Sequence, residues 1–148
     1  MTDVQALLLP VGDDFYALPV SWVREVVRSP RLTGLVTSPA RVLGLFNLRG
    51  QIVPLLDTAA VLGTGTIEGI AFAVVVNWQQ GPIGLAVSGF PHRVQLDAPT
   101  GPSDLPGTVG LYKVDDQVAA LLDPAALLMP ERLGGVESRV DPARLTVA

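Results

Sequence analysis

Few residues in this chain have the types and spacing that catalysis requires. The single histidine, His92, lies in PHRVQLD with no cysteine or second histidine to share a metal ion. Ser88, in LAVSGF, lacks the first glycine and the elbow context of a G-x-S-x-G nucleophile. Gly63-Thr64-Gly65-Thr66-Ile67-Glu68 lacks the third glycine of a dinucleotide fingerprint, and no P-loop occurs. Asp13-Asp14 and Asp115-Asp116 are adjacent pairs in turn-forming contexts, where they serve as solvated turn formers rather than a facing acid and base. No catalytic constellation, metal set or cofactor motif is present, so a non-enzymatic role is expected. What remains is recognition chemistry. GLFNLRGQIVPLLDTAAVLG, residues 44–63, sets Asn47, Arg49 and Gly50 inside an otherwise apolar run, and an arginine fork suits a carboxylate.

The composition points the same way. Of 148 residues, 49% are hydrophobic and 16% charged, with mean hydropathy +0.44, so the apolar excess must enter a core or a partner surface. A chain of this length buries roughly two thirds of its unfolded surface without staples. The net charge of -4 and pI near 4.7 repel a phosphate backbone, and Arg24, Arg28, Arg31 and Arg41 are scattered rather than clustered, which argues against nucleic acid. Trp22 and Trp78 read as packing residues, since aromatics make up only 5% of the chain and no basic interleaving accompanies them. The longest apolar run, Ile70 to Val76, is well short of the ~20 residues of a membrane-spanning helix. MTDVQALLLP has no basic region ahead of its apolar stretch, and the chain has no cysteine, so a cytoplasmic location without membrane insertion is expected.

The elements that must position Arg49 are mostly short strands, because the apolar segments are rich in Val, Leu and Ile and bounded by Gly, Pro, Asp or Asn. Val4 to Val11 and Phe15 to Leu18 flank a turn at Gly12-Asp13-Asp14. In VSWVREVV, Val20, Val23, Val26 and Val27 recur at helical spacing opposite Arg24, Glu25 and Arg28, which predicts a short amphipathic helix opened by Pro19. Val42 to Leu48 and Gln51 to Leu56 flank Arg49-Gly50, placing Arg49 at a hairpin tip. Asp57 then caps the turn TAAVL, which Gly63 ends. Ile70 to Trp78 and Ile83 to Ser88 form a further hairpin, PHRVQLD a strand, and residues 98–108 a Pro/Gly-rich loop. From Pro130 to Ala148 the composition is that of a tail.

An internal repeat separates what the fold needs from what it does not. Residues 44–63 align with GLYKVDDQVAALLDPAALLM, residues 110–129, at a shift of 66, with identity at Gly44/Gly110, Leu45/Leu111, Gln51/Gln117, Leu55/Leu121, Leu56/Leu122, Asp57/Asp123, Ala59/Ala125, Ala60/Ala126 and Leu62/Leu128. Two similar lobes are expected, about 1–66 and 67–129, forming one domain. Asp57 and Asp123, present in both copies, are expected helix caps, the second with Pro124 at the position a helix best accepts proline. Asn47-Leu48-Arg49-Gly50 becomes Lys113-Val114-Asp115-Asp116, so Arg49 is not required to make the turn.

The run P-x-x-V-x-G-x-x-N-L-R-G-x-I-V-P-x-x-D (Pro39 to Asp57), with FYALPVSWVREVV (15–27), GPIGLAVSGF (81–90) and VGLYKVDDQVAALLD (109–123), resembles the CheW family of bacterial chemosensory adaptors over about residues 4–129. The resemblance implies a mainly β fold of two SH3-like, five-stranded β-barrel lobes with short helices, without cofactor or catalysis. It implies a cytoplasmic adaptor recruited to membrane-associated receptor arrays. Its partners would be the cytoplasmic hairpin tip of a chemoreceptor, the CheW-like regulatory domain of the histidine kinase CheA, and other CheW-like domains. By the same resemblance Arg49 is a receptor-binding residue, with Val23 and Glu25 contributing. Asn47 and Leu48, which flank that arginine, are further receptor-binding candidates, as are Val87 and Phe90, placed in an apolar groove between the lobes that receives the helical tip. Burial in the groove would supply affinity, while Arg49 and Glu25 would set register by pairing with receptor charges. The alternative is an SH3-like interaction module serving another two-component or motility pathway.

Overall fold

Alternating burial and β-branched content carry most of the chain into strands, seen in a computed structural model that describes residues 4–34, 41–79 and 81–129. In order these are β1 (Val4–Val11), β2 (Asp14–Pro19), a single 3-10 turn (Val20–Trp22), β3 (Val23–Arg28), β4 (Val42–Leu48), β5 (Gln51–Leu56), α1 (Thr58–Leu62), β6 (Phe72–Trp78), β7 (Gly81–Val87), β8 (His92–Leu96), β9 (Thr108–Val114), β10 (Gln117–Leu122) and α2 (Pro124–Leu127). The expected tail from Pro130 lies outside the described residues.

The helix expected over VSWVREVV is not formed. Only Val20–Trp22 turns, and Val23–Arg28 runs as a strand whose residues alternate between half-buried and exposed. Valine spacing is compatible with both periods, and the antiparallel partner β6, nearly fifty residues downstream in the chain, decides for the strand by pairing Val26 with Val74 and Arg28 with Phe72.

Two five-stranded sheets form, ordered β8-β1-β2-β10-β9 and β3-β6-β7-β5-β4. Advancing each strand of the first order by five positions generates the second, so the duplication extends over all the strands. The sheets are not built from residues 1–66 and 67–129 separately. Each half gives its first hairpin to the sheet made by the last three strands of the other half, through the parallel pairs β10 with β2 and β5 with β7. The chain therefore forms two interlocked lobes, neither of which is complete within one repeat.

The correspondence reaches single hydrogen bonds. Leu45 N–H donates to the Thr33 carbonyl at 2.8 Å and Leu111 N–H to Gly101 at 2.9 Å, each bond closing its curled sheet beyond an edge strand. Asp57 and Asp123 N–H likewise donate to the carbonyls of Arg41 and Gly107, both at 2.8 Å. Gly44 and Gly110, at φ 159° and 153°, mark the equivalent bends. A Cβ at Gly44 would lie 3.0 Å from the Thr33 carbonyl oxygen, so this closure demands glycine.

Three apolar clusters follow from this arrangement. Ala6, Leu8, Ala17, Leu96, Tyr112 and Leu121 fill the first lobe, and Phe46, Leu48, Val53, Leu55, Val75 and Ala86 fill the second. The largest lies in the seam between the sheets, where Leu9, Leu18, Leu56, Val74, Leu85, Val87 and Leu122 pack with Leu62 and Leu127 from the two helices. Burial at this seam raises the pKa of the Tyr16 phenol, against a hydrogen bond with the Thr64 side chain that lowers it.

Candidate functional site

The β4–β5 hairpin closes on a two-residue turn with Leu48 paired to Gln51, and both central residues have positive φ, Arg49 at 51° and Gly50 at 88°. A turn of this kind favours Asn-Gly or Asp-Gly, so arginine in the left-handed region adds a conformational cost. Asp115, its repeat equivalent, has φ 53° and is a better turn former. The arginine is thus present for its side chain. Asn47 holds the turn from within, its Oδ1 accepting from Gly50 N–H at 2.8 Å.

The Arg49 side chain reaches back across the barrel opening to β3. Its two terminal nitrogens donate to the two oxygens of Glu25 at 2.9 and 2.5 Å, a bidentate pair between the two edge strands' neighbourhoods of one sheet. Arg24 joins it, with Nε 3.5 Å from Glu25 Oε2 and a terminal nitrogen donating to Gln51 Oε1 at 3.2 Å. The hydrogen bonds from Arg49, reinforced by the charges of Arg49 and Arg24, hold the Glu25 carboxyl below its ordinary value despite desolvation, and Glu25 raises Arg49 in turn. Arg49 still exposes 64% of its side chain, so the pair is a surface latch that a partner can touch.

The remaining candidates separate by burial. Val23 is half-buried against the seam cluster, at the exposed margin formed with Trp22, Trp78 and Phe72. The two tryptophan rings pack at 5.9 Å between centroids. Leu48 is buried inside the lobe, and Val87 is fully buried at the seam (0% exposed), so neither offers side-chain surface to a partner. The interior of the seam is filled by its own side chains; what a partner can reach is its margin. Phe90 is the reverse of Val87: 66% exposed, its ring edge-on to Phe72 at 5.5 Å. Sequence reasoning missed Arg28 and Phe72, which carry no motif and are brought together by β3–β6 pairing, the guanidinium 5.6 Å from the ring centroid.

The two helix caps diverge. Asp57 is buried and its carboxylate accepts from Ala60 and Ile67 N–H, all at 3.1 Å, fixing both α1 and the segment that leads to the second repeat. Asp123 stands at the N-cap of α2, but its side chain makes no capping bond. It is only half-buried, and the side-chain cap expected there is not formed.

Registering the lobes on one another shows where they differ. Glu25 opposite Val75 corresponds to His92 opposite Leu8, and Arg49 corresponds to Asp115. Among the described residues, His92 and Asp115 form no ion pair. The Arg28–Phe72 cross-strand pair corresponds to Gln95–Gln5. The latch and the cation–aromatic cluster thus belong to one lobe only, although both lobes fold.

The chain is similar to known proteins in sequence and in fold. The model of the CheW-like domain matches residues 5–131. The chain is similar to a probable chemotaxis protein CheW of Rhizobium etli, 32% identical over 74 residues that cover 50% of this chain and 48% of that protein. It is 26% identical to chemotaxis protein CheW of Klebsiella aerogenes over 62% of this chain and 57% of that one, and 37% identical to protein PilI of Pseudomonas aeruginosa over 36% and 30%. These matches span about half or less of the length of most such curated relatives. The fold is that of the scaffolding protein TtCheW from Thermoanaerobacter tengcongensis, with TM-score 0.74 and 21% identity over 87% of this chain and 90% of that one. With the match running from β1 through α2, this chain belongs to the CheW-like domain family.

Proposed function

We propose that the chain is a non-catalytic adaptor that binds a chemoreceptor's cytoplasmic hairpin tip and the regulatory domain of the histidine kinase CheA, coupling receptor state to kinase activity within an array. The observation that carries this reading is the asymmetry between two lobes of identical topology. Features that folding does not require, the Arg49–Glu25 latch and the exposed Phe90 beside Phe72 and Arg28, gather around β3 of one lobe. An apolar margin with fixed charges suits a helical partner whose register must be set. Arg49 serves here as a positioning residue, holding the hairpin tip against β3 while its exposed edge remains available. By the same reading the protein resides in the cytoplasm and reaches the membrane only through its receptor.

A second reading, the same module serving another two-component or motility pathway, is favoured by the similarity to protein PilI. Titration calorimetry against a receptor tip fragment and, separately, a CheA regulatory domain, both encoded in the same genome, tests the first. Binding of both supports the adaptor; binding of the kinase domain alone favours the second reading; binding of neither sinks both partners.

A further inference from the structure

The internal repeat holds past the strands, but its two copies end in different surroundings. Val61 N–H donates to the Asp57 carbonyl at 2.9 Å and Leu127 N–H to that of Asp123 at 2.8 Å; Gly63 N–H donates to Ala60 at 3.1 Å and Met129 N–H to Ala126 at 3.5 Å. The shift of 66 therefore persists to Met129, the last described residue. Identical residues are nevertheless covered unequally. Asp57 and Ala59 are buried, at 2% and 6% exposure, whereas Asp123 is half-buried and Ala125 exposed. Leu43 is half-buried against the second-lobe cluster, whereas its counterpart Val109 is 57% exposed. The segment that follows α1 lies on the buried copy: Thr64 N–H donates to the Ala59 carbonyl at 2.9 Å, and Ile67 N–H reaches both carboxylate oxygens of Asp57 at 3.1 Å. The Ile67 side chain packs against the seam cluster and the second-lobe cluster together.

We propose that residues 130–133, which lie outside the described residues, dock on the open surface of the second copy as a strap, with Leu133 N–H donating to the Asp123 carboxylate, the Leu133 side chain shielding Val109 and the backbone before it crossing Ala125. The same shift of 66 sets Leu133 on Ile67, an aliphatic residue on an aliphatic residue. Asp123, whose side chain makes no capping bond, gains a donor, and two exposed apolar groups gain cover. This occupant is tethered four residues from Met129, so it closes at a smaller entropic cost than a separate molecule. Two substitutions make the strap weaker than its counterpart. Met129 stands where Gly63 turns at φ 79°, a conformation that costs any residue with a side chain, and Pro130 stands where Thr64 donates its N–H, having none to give. The strap therefore opens without the sheets opening, and the folded domain ends at Leu133 rather than at Met129. The contact is intramolecular and holds whatever partner the adaptor reading gives the protein.

The test is amide hydrogen exchange and methyl NOE spectroscopy on the full chain, as wild type, Asp123→Ala, Asp123→Asn and Met129→Gly, with melting curves to establish folding. In wild type the Leu133 amide exchanges about threefold more slowly than the unprotected rate for its sequence, and the Leu133 methyls give NOEs to Val109. Asp123→Ala returns the amide to the unprotected rate while the melting midpoint barely moves; Asp123→Asn, which keeps a carbonyl acceptor, retains the protection. Met129→Gly, which supplies the turn residue of the first copy, slows exchange about threefold further. A wild-type Leu133 amide at the unprotected rate with no NOE to Val109 overturns the strap, as does protection that Asp123→Ala leaves intact. If a second copy of the chain covers Val109 and Ala125 instead, their signals shift with concentration as the light-scattering mass rises, and the strap is overturned as well.

Discussion

Arg49 gives both terminal nitrogens to Glu25, so a charge at the β4–β5 tip and a charge on β3 act as one unit that ties two ends of a sheet together. A residue that folding does not require is therefore joined to a strand that offers an apolar margin, and loss of either charge has the same structural consequence.

Arg49→Ala and Glu25→Ala are each expected to weaken receptor-tip binding by about tenfold, and the double variant by little more, because both remove one coupling. Exchanging the charges with Glu25→Arg and Arg49→Glu together restores much of the affinity. A calorimetric double-mutant cycle checks this; additive losses and a swap that stays inactive would mean that Arg49 contacts the partner on its own account.

The latch has a definite pH dependence. The folded Glu25 carboxyl lies below the ordinary value of 4.5, so its contribution to stability is complete above that value and lost as pH falls through the lowered folded value. Wild type should melt above Glu25→Gln at pH 7, and the two curves should converge only once the pH has fallen below the lowered folded value of Glu25. A gap that persists unchanged into acid would contradict the ion pair.

The two aspartates that the internal repeat shares should behave differently. Asp57→Ala leaves the N–H groups of Ala60 and Ile67 without their acceptor in a buried site and should cost roughly 1–3 kcal/mol. Asp123→Ala, which removes no capping bond, should change stability by no more than about 0.5 kcal/mol. Urea denaturation of the two variants decides between this and a shared capping role.

How far the sequence carried these conclusions depends on the range of the interactions. The hairpins around Gly12, Arg49-Gly50 and Asp115-Asp116 were legible because turn chemistry is local, and the Asp57 cap because its partner is three residues away. The strand Val23–Arg28 was read as a helix because its register is supplied by β6, far along the chain. The repeat was visible over residues 44–63 and 110–129, but the exchange of hairpins between lobes was not, since parallel pairs such as Leu121 with Ala17 leave no local pattern. Of the candidate site, Arg49 and Glu25 were found as separate charges; their mutual pairing, the burial of Val87 and the Arg28–Phe72 stack are products of tertiary placement.

Val87 illustrates the difference between a core residue and a contact residue. Val87→Ala should cost on the order of 2 kcal/mol by opening a cavity at the seam, while the folded protein keeps its partner affinity. Thermal melts paired with binding titrations distinguish this from a direct contact, for which affinity would fall without loss of stability.

The proposed adaptor function requires one molecule to hold both partners at once. The most direct measurement is size-exclusion chromatography with light scattering on a mixture of the receptor tip fragment, the CheA regulatory domain and this protein. Simultaneous engagement predicts a single ternary peak with one copy of each, present only when this protein is included and diminished with Arg49→Ala. Mutual displacement, with each partner eluting only in binary complexes, would contradict the coupling role.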